Sequence, residues 1–129
     1  GPVTPLGTAI HSASRGDTAG AIRQFERAKA ENPAIAAQVD DMINALRQRQ
    51  AKDAKDAKVA AYWNQVIEND MRQLRDMMND RGMNMLSIGD EVGAQEAFRD
   101  AVWYSMGLPA DKQVPSQLPA SKSKSRKAK

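Results

Sequence analysis

The chain has 129 residues, of which 41% are hydrophobic, 27% charged and 5% aromatic; this suits one domain with a thin aliphatic core and is short for two. It has no cysteine and one histidine, His11, which excludes disulfides, thiolate metal sites, a cysteine nucleophile and a multi-histidine centre, and no apolar run approaches the roughly 20 residues that span a bilayer. The net charge of +3 is uneven: Ser121–Lys129 holds five of the 19 basic residues and no acid, so the rest of the chain is slightly acidic.

Gly1-Pro2, with no Met ahead of it, reads as the remnant of a cleaved tag. The absence of a leader therefore carries no weight, and a cytoplasmic location is the default expectation. Residues 3–106 read as a single helical domain. A first helix is predicted before Gly16 and a second after Asp17. From Pro33 the residues Ile35, Val39, Met42, Ile43 and Leu46 fall on one face of a helix of period 3.6, with Asn32 as its cap and Pro33 at its first position. Ala51–Lys58 nearly repeats an alanine–lysine–aspartate tripeptide and has no large apolar residue before Val59. An unbroken helix from Pro33 to Arg81 would run about 70 Å, too long for a domain whose radius of gyration should be about 14 Å. A break near residues 48–57 is expected. Beyond it Val59, Trp63, Val66, Ile67, Leu74, Met77 and Met78 return at helical spacing. From Gly107 on, Pro109, Pro115 and Pro119 among Ser and Lys predict a flexible basic tail over residues 107–129. No alternating β-branched run predicts a strand. The fold class expected is all-α: a small bundle or short array of five to six helices.

The chain repeats itself once. Gly16-Asp17-Thr18-Ala19-Gly20-Ala21, followed by Phe25 and Ala28, matches Gly89-Asp90-Glu91-Val92-Gly93-Ala94, followed by Phe98 and Ala101. The first glycine suits a left-handed turn, the aspartate caps the next helix, and two alanines flanking a phenylalanine make a close-packing face. Ala21, Phe25, Ala28 and Pro33, with Ala9 in the preceding helix, resemble the small–aromatic–small–proline pattern of the tetratricopeptide (TPR) repeat. Ala94, Phe98 and Ala101, with Gly82, resemble it again. The early aromatic of the family's first helix is missing from both copies, the second proline is displaced to Pro109, and the 73-residue offset is not a multiple of 34. The resemblance implies helical hairpins and a partner helix or peptide bound on the face of the first helices, at Leu6, Ile10, Asn79, Met83 and Leu86. The family's carboxylate clamp is absent, because Leu6 and Ile10 stand in its slots.

Five of the seven methionines lie within residues 71–85. They either fill the core or, with Met77 and Met78 at the centre, line an adaptable groove for a partner helix. Of the doublets Tyr62-Trp63 and Trp103-Tyr104, the tryptophans are expected inside and the tyrosines at a rim. His11 stands near Ser12 and Ser14 without an orienting acid or a nucleophile elbow, so no catalytic residue, cofactor or metal is expected. These residues point to a non-enzymatic interaction or adaptor module, able to self-associate. The alternative is a nucleic-acid-associated or particle-assembly protein that oligomerises through its helices. Its phosphate contacts would come from Lys122, Lys124, Arg126, Lys127 and Lys129 of the tail only.

Overall fold

The structure, a computed structural model, describes residues 4–51 and 55–113. Among them the chain is all-α, with five α-helices and no strand. These are α1 (Pro5–Ser14), α2 (Thr18–Glu31), α3 (Ala36–Gln50), α4 (Ala57–Ser87) and α5 (Glu91–Met106), with short 3₁₀ turns at Pro33–Ile35 and Ala110–Lys112. The expected break falls between Gln50 and Ala57, where the Asp56 carboxylate accepts from the Lys58 N–H at 2.8 Å and starts α4. Asn32 makes no side-chain cap; its carbonyl instead accepts from the Ile35 N–H, and Pro33 opens the 3₁₀ turn rather than α3.

The repeated segments build the same turn twice. Gly16 and Gly89 sit at φ +82° and +83°, a region where a Cβ is penalised. After α1, the Gly16 and Asp17 N–H groups close back on the carbonyls of Ala13 and Ser12; after α4, those of Gly89 and Asp90 close on Leu86 and Met85. Both are Schellman ends. The Asp17 carboxylate then accepts from the Gly20 N–H, and that of Asp90 from the Gly93 N–H, each at 2.9 Å. A Cβ on Gly20 or Gly93 would collide with the capping carboxylate itself, which explains the second glycine of the motif. Even the serines correspond: Ser14 and Ser87 donate to the carbonyls of His11 and Asn84.

Each helix packs on its neighbour in the chain, and α5 returns to α1. The helices thus close a ring around one core. Ile35, Val39, Met42, Ile43 and Leu46 are all buried there, as the period predicts, together with Phe25, Leu74 and the small Ala9, Ala21, Ala45 and Ala101. The ring closes tightly because Trp103 of α5 lies over Gly7 of α1, where a Cβ would come within 2.8 Å of the indole. Phe98 lies over Gly82 in the same way, 2.5 Å from where a Cβ would stand.

Three expectations change. Tyr104, not Trp103, is the fully buried member of its doublet, and both tryptophans are only partly buried against the core. In α5 the inward positions are Ala94, Ala97, Ala101 and Tyr104, continuing to Leu108, a 3–4–3–4 spacing that sends residue 103 to the side facing α1. Phe98 keeps part of its surface exposed, whereas Phe25 is sealed. Finally, the packed body does not stop at residue 106. Leu108 is buried, Lys112 pairs with Glu68 of α4 at 3.0 Å, and the Gln113 amide donates to the Leu108 carbonyl.

Candidate functional site

The ring decides what happens to the residues singled out for partner binding. Leu6 and Ile10 of α1, and Met78 and Asn79 of α4, are buried, Met77 and Met83 are partly buried, and only Leu86 is exposed. In an open array the first helices would line a concave face. Here α5 packs on α1, and Leu6, Ile10 and Met78 are buried in the closed core. The methionines follow: Met42, Met71 and Met78 are core residues, the use to which unbranched, polarizable side chains are best suited. The Met-lined groove is therefore not an open surface. The tail cations Lys122, Lys124, Arg126, Lys127 and Lys129 lie outside the described residues.

Two other features are open to solvent. The first is apolar. At the α4–α5 turn Leu86, Ile88 and Val92 are exposed, and along the outer side of α5 Val102 and Met106 are 47% and 54% exposed. Val102 and Met106 are one turn apart on a stripe that continues from the edge of Phe98. The counterpart of Val102 in the first hairpin is Lys29. Its ammonium reaches Asp40 of α3 at 2.7 Å and Glu26 at 2.9 Å, and these carboxylates raise its pKa. One copy thus ties this position to the next helix with charge; the other leaves an apolar side chain in water.

The second is a cavity of about 430 Å³ between the start of α1, the end of α2 and the facing sides of α4 and α5. Its walls include Leu6, Ile35 and Ala97, and around them stand Glu31, Arg81, Glu96, Arg99 and Asp100, with Tyr104 beneath. Burial pushes the Asp100 carboxyl up to about 6; Glu96 and Glu31 add to this, and Arg99 and Arg81 oppose it. The Tyr104 hydroxyl has no hydrogen-bond partner, and burial raises its pKa too, with the Asp100 charge adding to the effect. The sequence signal for this site was the stripe Gly93, Glu96, Ala97, Asp100, Tyr104 on one side of α5, which mixes acids with small residues.

Other candidates do not assemble. His11 is exposed near the end of α1. Among the described residues no group of three or more acidic or histidine side chains could hold a metal ion, and no helix is long and apolar enough to cross a membrane. No protein-family model, curated protein or solved structure matches the chain.

Proposed function

We propose that the chain is a non-enzymatic protein–protein interaction module, built from TPR-like helical hairpins, that docks an amphipathic partner helix along the outer side of α5. The observation that carries this reading is the pair Val102 and Met106, apolar and about half exposed, where the first hairpin has a lysine tied to the neighbouring helix. Side chains one turn apart form the seam that a second helix meets. Leu86, Ile88 and Val92 are further exposed apolar side chains, at the α4–α5 turn. In repeat arrays each hairpin buries its face on the next and the terminal unit carries a polar outer face, so an apolar outer face on the last hairpin calls for a covering partner. Of the positions implied by the family resemblance, Leu6, Ile10 and Asn79 are buried and Leu86 is exposed.

A photo-reactive amino acid at position 102 tests this in the full chain, with the same probe at exposed Gln73 as control. A discrete adduct at 102 that disappears on Met106→Lys supports the docking seam. An adduct of doubled mass makes the partner a second copy of this chain. No adduct at 102 beyond that at 73 refutes the reading.

A further inference from the structure

The cavity beside α5 is separate from the docking stripe and does not depend on it. It has the size of a small-molecule site, for which about 300–1,000 Å³ is usual, and its charges are unfinished. Glu31, Arg81, Glu96, Arg99 and Asp100 all border it, yet among the described residues none of the five forms an ion pair. Their formal sum is −1. Arg81, Arg99, Glu31 and Glu96 are exposed; Asp100 is the charged group set furthest in, and the unpartnered Tyr104 hydroxyl belongs to the next turn of the same helix. The α2 helix also ends here, at Glu31 and Asn32, and the free carbonyls of a helix C-terminus favour positive charge.

We propose that this cavity binds a small organic cation, a primary ammonium or guanidinium on a short apolar stem, with the Asp100 carboxylate as its counter-ion. The stem lies along Leu6, Ile35 and Ala97. A cation placed there restores the interactions that Asp100 loses on leaving water, and it neutralises the excess negative charge of the set. A rearranged Tyr104 hydroxyl can accept one of its N–H groups. The same chemistry is carried by a free amine and by a lysine or arginine side chain of a polypeptide.

The full chain, ¹⁵N-labelled, is titrated with n-butylamine, with butylguanidine and with the blocked peptide acetyl-Gly-Lys-Gly-amide, using butanol as the neutral control. Saturable amide shifts at Gly93, Ala97 and Tyr104 are expected from the cations and not from butanol. Tighter binding of the peptide than of butylamine makes a side chain the source; the reverse makes it a free amine. With Asp100 titrating near pH 6, affinity should be roughly tenfold weaker at pH 5 than at pH 7.5. Asp100→Asn should weaken it about tenfold or more at pH 7.5. Absence of saturable shifts, equal shifts with butanol, or an affinity unchanged between pH 5 and 7.5 overturns the proposal. So does a folded Asp100→Asn protein that binds as the parent does; if that variant does not fold, the pH arm on the parent chain decides.

Discussion

Asp70 of α4 sits among Ile67, Met71 and Leu74, almost wholly buried, with one carboxylate oxygen lacking any partner. Burial, together with the nearby Asp41 carboxylate of α3, raises the Asp70 pKa to about 8. Around neutral pH its protonated form is therefore favoured. In the unfolded chain it ionises near pH 4, so between those two values the native state holds a proton that the unfolded state has released. Its contribution to stability is complete below pH 4 and is lost as pH rises towards 8, with a slope of up to about 1.4 kcal/mol per pH unit. Asp70→Asn keeps the shape and the donor without the ionisation. Urea midpoints at pH 5, 7 and 9 should fall more steeply for the parent than for the variant, and the variant should be the more stable at pH 9; parallel curves would contradict this. Such a residue is hard to see in a sequence, because an aspartate on an amphipathic helix is ordinarily placed on its wet side. Tyr104 was obscured for a related reason. The larger indole beside it looked the better core residue, while the alanine spacing that places 104 inward was the weaker-looking and more informative pattern.

At the level of the element, the turns were the most legible part of the chain. A left-handed glycine, a capping aspartate and a second glycine three residues on are chemical requirements of the backbone, and they act within a few residues. The helical faces of α3 were legible too, since every large apolar residue from Ile35 to Leu46 is buried. What spacing could not supply was the partner of each face. Phe25 and Phe98 have the same local sequence, yet one is sealed and the other is not, because burial depends on which other helices arrive. The matched caps give a direct test of equivalence. Asp17→Ala and Asp90→Ala each remove one 2.9 Å bond to a backbone N–H, and each should cost about 1 kcal/mol. Because the sites lie in different hairpins, the double variant should cost the sum. Denaturant unfolding of the three proteins measures this, and an effect at one site alone would mean that the two turns do not serve the fold alike.

For the whole molecule, ring closure is the step that short-range patterns do not encode. It puts Leu6, Ile10 and Met78 of the face expected for a partner into the core, and it leaves Val102 and Met106 of α5 open instead. It also sets where the domain ends. Gly107 and Pro109 follow directly on the end of α5 at Met106, but the composition there hides Leu108, whose position continues the α5 core stripe past Gly107. Gly107 itself is a point of close approach, where a Cβ would lie 3.0 Å from the Met71 sulfur. Residues 107–113 therefore behave as a clasp on α4, through Leu108 in the core and Lys112 on Glu68. The ion pair is partly exposed and contributes little by itself, whereas burying the leucine contributes about 2–3 kcal/mol. Truncation after Met106 should accordingly lower the thermal midpoint by roughly 5–10 °C in a domain of this size. Truncation after Gln113 removes only the Pro-, Ser- and Lys-rich residues and should leave the midpoint nearly where it was. Leu108→Ala in the full chain separates the two contributions: if the clasp acts through its leucine, this single change reproduces most of the loss seen on cutting at Met106, and if the midpoint does not move, the packing of residues 107–113 is not part of what holds the ring closed.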